Sequence, residues 1–499
     1  MNPLLMADFY KLGHRACYPP STTQVWSNWT ARKSRVPGVD QIVFFGLRYF
    51  IEKYLCEEFE YNFFRRPIKE VVDQYREVVS ATLGDPNPYT KHIEQLHDYG
   101  RKTGGLPIRI YALPEGSQVD VGVPALVVTN TKPWAFWLPN YLETILSNIL
   151  WKPITSATTA REYRKICMKY ARQAGETDFS FVDWQCHDFS MRGMSGVEDA
   201  VLSGMGHLLS FSGTDTIPAI LAAHKYYNAP YSVGGSVNAT EHSVMSAGGK
   251  ESELETFRRL IEDVHPTGVV SIVSDTWDLW KVLTEYVPAL RDKILARDGK
   301  SVFRPDSGDP VKILCGDSSK FMEIEHGYKS SHHPAFYGVL CLLQQHLGVE
   351  YRDGKLPLIK KAGAIYGDSI TLERADQILD LTVNELRMSP YNVVLGIGSY
   401  TYELVTRDTY GQAMKATAVR NGDEIIPIWK DPVTDDGMKK SLKGIPAVYE
   451  NEMNNGYFVV DNQPEEALDN CAYCKVYENG LHLVKDDFET IQKRARVGL

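Results

Sequence analysis

The sequence is short of several things at once, and each shortage removes a class of protein. Cysteine is sparse: eight in 499 residues, scattered at 17, 56, 167, 186, 315, 341, 471 and 474. Scatter of this kind suits reduced intracellular thiols and not a disulfide framework. Cys471 and Cys474 form a C-x-x-C pair, but zinc needs two more ligands and only His482 lies nearby. No apolar run approaches the roughly 18 residues of a membrane-spanning helix. The opening MNPLLMADFYKLGH has neither the basic stretch nor the apolar core of a secretory signal, so the expected location is cytoplasmic, away from any membrane. Positive charge is in deficit too, with 54 Lys and Arg against 63 Asp and Glu, a net charge of -9. That argues against a nucleic-acid partner. No internal repeat and no low-complexity segment is visible.

What is present is ordinary globular material, 43% hydrophobic and 23% charged. At roughly 100–200 residues per domain the length suggests two to four domains. In the first 150 residues, Pro67 is expected at the first position of a helix. Ile68, Val71, Val72, Tyr75, Val78 and Val79 then share one face until Gly84 ends it. Strands are expected at Ile108–Ala112 and Ala125–Thr129, then a helix to about Leu150 that stops before Pro153, and a second helix to about Arg172.

From about Ser180 to Ala418 short apolar strands alternate with helical patterns. Val269–Val273, Val302–Phe303, Ala364–Tyr366 and Val393–Leu395 each end in polar or glycine-rich motifs and lead into a helix. The expected helices include Leu372–Leu381 and one running from Ser399 to Thr406. Such alternation predicts parallel strands with crossover helices. Four polar motifs at successive strand ends point to a (β/α) barrel, with a doubly wound sheet as the competitor. The last 80 residues return to strands, with Asn479-Gly480 as a hairpin turn. The expected division is 1–150 and 419–499 in one α+β domain, with 151–418 as an irregular (β/α) barrel.

The chemistry-bearing strings sit in the barrel. Gly396-Ile397-Gly398-Ser399 and Gly367-Asp368-Ser369 each follow a strand and can offer backbone N–H groups to a phosphate, although a glycine after a strand is usually only a turn. Arg304 and Asp306 are two residues apart. They read either as a structural ion pair or as an arginine gripping phosphate beside a carboxylate facing developing positive charge. His187-Asp188-Phe189 and Arg192 gather a histidine, an aromatic and a cation. Asp215 in Ser212-Gly213-Thr214-Asp215-Thr216 reads equally as a helix cap. Glu241-His242 places an imidazole among polar residues, able to act as acid, base or nucleophile. Together they suit exchange at a sugar carbon that carries a phosphate leaving group.

The strings HDFSMRGMSG, GTDT, SVNATEHS, VSIVSDTWD, RPDSGDP, YGDS and TRD, in this order, resemble the nicotinamide phosphoribosyltransferases. So do Asp8-Phe9-Tyr10-Lys11…His14…Tyr18-Pro19-Pro20 and Trp429-Lys430-Asp431-Pro432. The resemblance runs from about residue 4 to 497. It implies a type II phosphoribosyltransferase that joins nicotinamide to 5-phosphoribosyl 1-pyrophosphate with Mg²⁺, giving nicotinamide mononucleotide and pyrophosphate in NAD salvage.

By the same resemblance, His242 is the residue phosphorylated by ATP, and Glu241 orients it. Arg304 and Arg192 hold phosphate or pyrophosphate, with Asp306 by the ribose and base. Gly367 and Asp368 bind ribose hydroxyls. Gly398, Ser399 and Arg407 take the 5-phosphate. Ser271, Asp275 and Lys415 also contact substrate. Phe189 stacks on the pyridine, and Tyr10 stacks from the second subunit of a homodimer, which also lends Lys430. Asp215 accepts the carboxamide N–H. The chain departs from the family at Ser399 and Ser369, where glycines are usual, and at Ala413 in place of a serine.

Three alternatives stay open on sequence: a nicotinate phosphoribosyltransferase, a barrel hydrolase of phosphorylated sugars or nucleotides, and a binding protein. Asp215 bears on the first. Two carboxylates about 4 Å apart repel by on the order of 4 kcal/mol at intermediate dielectric.

Overall fold

The computed structural model describes residues 1–320, 333–430, 442–451 and 456–499. The chain divides into two compact units. One comprises residues 1–158, 221–229 and 405–497; the other comprises 159–220, 230–404 and 498–499.

The second unit is built on a parallel sheet. In spatial order its strands are Gly213–Thr214, Cys186–Asp188, Val393–Ile397, Ala362–Tyr366, Asp298–Arg304, Thr267–Val273 and Asn238–Ala239. Gly235 then makes a parallel bridge back to Gly213. The Thr214 N–H donates to the Gly235 carbonyl and the Gly235 N–H to the Ser212 carbonyl, so the sheet closes on itself. Several strands are only two or three residues long, which makes the barrel irregular. Val270, Ile272, Phe303, Ala364, Val393 and Leu395 are buried in one apolar core with Leu314, Leu340 and Leu343 of the covering helices. Side chains alternate along a strand, so these apolar positions leave each C-terminal end free to carry polar groups.

The first unit holds an antiparallel sheet ordered Glu424–Pro427, Gln412–Asn421, Thr22–Ala31, Pro124–Asn130, Ile108–Ala112, Cys474–Glu478 and Leu481–His482. Asn479 and Gly480 both have positive φ, 51° and 96°, as a tight hairpin turn demands.

Several sequence expectations change. The division falls after Thr158 and after Leu404, not after residues 150 and 418. Gln412–Asn421 leaves the barrel region because it pairs with Thr22–Ala31, Met414 opposite Trp29. Pro153 does not end a helix: one helix runs Glu143–Gln173 through it. Gly46 makes room, since a β-carbon there would stand 2.6 Å from the proline ring. Pro67 caps the Ile68–Leu83 helix from outside, with extended ψ of 128°. The helix expected up to Thr406 stops at Tyr402. The Asp431-Pro432 half of the Trp429 string lies outside the described residues. Among the described residues no helix is long and apolar enough to cross a membrane.

Candidate active site

At the strand ends of the second unit a cavity of 770 Å³ is lined by Phe189, Met191, Arg192, Asp215, Glu241, His242, Ser243, Arg304, Asp306, Gly367 and Asp368. Nine of these were candidates on sequence; Met191 and Ser243 were not.

Arg304 ends its strand and is largely buried. Its Nη2 donates to the Thr240 carbonyl, while its Nε is buried with no hydrogen-bond partner among the described residues. Burial pulls its pKa down, against the raising effect of Asp306, Asp215 and Asp275, and the Arg192 charge pulls it down further. Two guanidinium groups that oppose each other beside one cavity call for an anion.

Asp306 lies past the strand end, in the loop. Its N–H donates to Asp275 Oδ2 at 2.9 Å, and the Ser307 hydroxyl donates to the same oxygen at 2.6 Å. Asp275 therefore braces the loop beneath the cavity and is not part of the lining. Ser271, expected to touch substrate, is 3% exposed within its strand. It too is absent from the lining, and its Oγ is buried without a hydrogen-bond partner among the described residues.

The Phe189 ring rests on a glycine floor. A β-carbon on Gly396 would lie 2.6 Å from it, and one on Gly367 would lie 3.7 Å away. Asp188, fully buried, ties the corner together. Its Oδ1 accepts the Ser190 N–H at 2.9 Å and the Ser190 hydroxyl at 2.7 Å, and its Oδ2 accepts the Thr214 hydroxyl at 3.3 Å. The His187 ring lies 4.6 Å from that of Phe189, and its Nε2 reaches Asp215 Oδ1 at 2.9 Å. The Ser236 hydroxyl donates to that same oxygen at 2.6 Å. Burial raises the Asp215 pKa, but the His187 and Ser236 bonds and the Arg304 charge outweigh it, holding the carboxyl below its ordinary value. The Asp215 carboxylate thus lines the cavity and gives Oδ1 to two side-chain donors, with no backbone N–H among its partners in the described residues.

His242 opens a short helix, His242–Ser246. Glu241 does not orient it: the Glu241 carboxylate accepts the Ser243 hydroxyl. The partner of His242 Nδ1 is Thr276 Oγ1 at 3.1 Å. Nothing in the sequence pattern singled out Thr276 or Ser236.

Gly398 and Ser399 follow the next strand. A β-carbon on Gly193 would clash with the Ser399 hydroxyl at 2.2 Å, so the serine packs against the Arg192-Gly193 corner. Ser369 stands at φ 54°, the left-handed region that glycine occupies cheaply. Its hydroxyl donates to Asp368 Oδ2 at 2.9 Å.

Four expected contacts lie on the first unit. Tyr10 and Arg407 share a cavity of 280 Å³ with Asp8, Glu143 and Thr144. Lys415 Nζ reaches Glu143 Oε1 at 3.3 Å, and Lys11 pairs with the other Glu143 oxygen. Lys430 is exposed. Among the described residues no group of three or more His, Cys, Asp or Glu could hold a metal. His482 bonds to Glu52 at 2.7 Å.

Comparison with known proteins gives the family of the chain. Residues 184–481 match the nicotinate phosphoribosyltransferase family model, and residues 2–110 match the N-terminal domain of nicotinamide phosphoribosyltransferase. The chain is 45% identical to the nicotinamide phosphoribosyltransferase of Acinetobacter baylyi, over 99% of this chain and 97% of the relative. It is 34% identical to that of Mycoplasma pneumoniae, over 89% and 95%. In fold it resembles a nicotinate-nucleotide pyrophosphorylase from Pyrococcus furiosus, with TM-score 0.57 and 14% identity over 99% of this chain and 95% of the other. It also resembles human nicotinic acid phosphoribosyltransferase, with TM-score 0.51 and 16% identity over 99% and 92%.

Proposed function

The chain belongs to the nicotinate phosphoribosyltransferase family, on its nicotinamide phosphoribosyltransferase branch, and from that premise we propose how its cavity works. Nicotinamide attacks the anomeric carbon of 5-phosphoribosyl 1-pyrophosphate through its ring nitrogen. The carbon–oxygen bond to pyrophosphate breaks, and nicotinamide mononucleotide and pyrophosphate leave, a step of NAD salvage. The observation that carries this is Arg304, largely buried with an unpartnered Nε and opposed by the charge of Arg192. Such a pair grips the leaving pyrophosphate as charge develops on it.

Asp306 steadies the positive ribosyl carbon, Gly367 and Asp368 hold the ribose hydroxyls, and Phe189 stacks on the pyridine. Asp215 accepts the carboxamide N–H and repels the carboxylate of nicotinate. On the second unit Gly398 and Ser399 receive the 5-phosphate; on the first, Arg407 and Lys415 are the candidates for phosphate contacts. Mg²⁺ would enter bound to the pyrophosphate substrate and neutralise part of its charge, and Asp306 and Asp368, which line the cavity, are the carboxylates that would face it.

ATP passes its γ-phosphoryl to His242, through the Nε2 that Thr276 leaves open, and ADP departs. The protein works in the cytoplasm as a homodimer, with Tyr10 and Lys430 completing the partner's site. An aromatic ring 62% exposed at Tyr10 supports that arrangement. Mixing Tyr10→Ala with Asp306→Ala chains then restores activity, and its absence counts against a shared site. The function itself is tested by product analysis with nicotinamide and with nicotinate, each with and without ATP. Mononucleotide from nicotinamide, enhanced by ATP, is expected; a preference for nicotinate or simple hydrolysis defeats it.

A further inference from the structure

Three neighbouring segments bring two side chains to one carboxylate oxygen of a third. His187 is paired with Gly213 in parallel register, and Gly213 with Gly235. One step past Gly235 stands Ser236, and two steps past Gly213 stands Asp215. The bridge that closes the barrel therefore brings Ser236 to Asp215. His187 Nε2 and the Ser236 hydroxyl both meet Asp215 Oδ1, at 2.9 and 2.6 Å. A carboxylate only accepts, so His187 must carry its proton on Nε2. Among the described residues Oδ2 has no such partner, and Asp215 lines the cavity.

We propose that His187 and Ser236 are positioning residues for substrate choice: they saturate one oxygen of Asp215, and so present the other, charged, to the group at position 3 of the pyridine. The role rests on the nicotinamide transfer proposed above. Two donors on Oδ1 fix the carboxylate's rotation. Without them the group swings, and Oδ2 no longer meets a carboxamide N–H or confronts a carboxylate at a set distance. Neither residue needs to touch the reacting atoms.

The test is the ratio of kcat/KM for nicotinamide to that for nicotinate, measured on one preparation of the full chain so that the folded fraction cancels. Ser236→Ala and His187→Leu should lower the ratio by about tenfold, the loss of one hydrogen bond to a charged group. Ser236→Thr, which keeps the hydroxyl, and His187→Gln, which keeps a donor at the Nε2 position, should restore most of it. Equal losses for both substrates, with the ratio unmoved, would mean a merely structural role and overturn the proposal. Asp215→Asn separates the two levels. If it collapses the ratio and Ser236→Ala does not, only the positioning role fails. If it leaves the ratio intact, the carboxylate reading fails and the positioning role with it.

Discussion

The imidazole of His242 meets the hydroxyl of Thr276 at 3.1 Å, Nδ1 to Oγ1, while the adjacent Glu241 turns to Ser243. The ring is thus oriented by a residue 34 positions away. His242→Ala should abolish the response to ATP. Thr276→Val should cut the ATP-dependent gain by about fivefold, the worth of one hydrogen bond, and Glu241→Gln should cut it less. Initial rates with and without ATP decide this. A His242→Ala chain that responds as the parent does would remove the phosphohistidine from the account.

Arg304 has a buried Nε that no group among the described residues satisfies. Arg304→Ala should lower kcat/KM for the phosphoribosyl donor by about a hundredfold, or roughly 3 kcal/mol, as charge-assisted bonds to the anion are lost. Arg304→Lys should recover little, because an ammonium cannot make the bidentate fork. Steady-state kinetics with varied donor provide the check.

The contrast between these two residues shows what the sequence could reveal. Arg304 was legible because its string ends an apolar strand and a barrel presents its chemistry there. The strands Val269–Val273 and Val393–Leu395 were legible for the same reason, each being a short, mostly apolar run that leads into a polar or glycine-bearing motif. Thr276 and Ser236 were not legible. Each is a single hydroxyl whose partner lies on another strand, and no local period marks it. The closing bridge at Gly213 and Gly235 joins segments too short to show alternation. Pro153 misled because a proline's effect on a helix depends on what packs beside it, here Gly46. The Gln412–Asn421 strand was misplaced because its partner, Thr22–Ala31, lies nearly 400 residues away in the chain.

Ser369 holds a left-handed backbone at φ 54°. Left-handed conformation costs an ordinary residue about 1 kcal/mol. Ser369→Gly should relieve that and stabilise the protein by roughly 0.5 kcal/mol, once the greater entropy of an unfolded glycine is subtracted. Urea unfolding should show a small rise in midpoint, whereas Ser369→Ala should show none.

Glu176 is a structural counterpart to these site residues. Its side chain is 3% exposed and meets Arg352 at 2.7 Å and Lys355 at 3.5 Å, with the Ser389 hydroxyl donating at 2.8 Å. Burial raises its pKa, but Arg352 and Ser389 outweigh burial and hold it below 4.5. A depressed folded pKa stabilises above the unfolded value, and that stability is lost as pH falls through the folded one. The Glu176 contribution should therefore be whole at neutral pH and fade only below about pH 4.5. Glu176→Ala should cost about 2 kcal/mol at neutral pH, because the half-buried Arg352 guanidinium loses its charge-assisted bonds. Its cost should shrink in acid, as unfolding curves from pH 7 to pH 3 would show.

The most direct test of the whole account is the stoichiometry of the reaction of the purified chain with nicotinamide, 5-phosphoribosyl 1-pyrophosphate and Mg²⁺. The account predicts one pyrophosphate released for every nicotinamide mononucleotide formed, with both lost together in Arg304→Ala. Pyrophosphate release accompanied by free ribose 5-phosphate and no mononucleotide would contradict it.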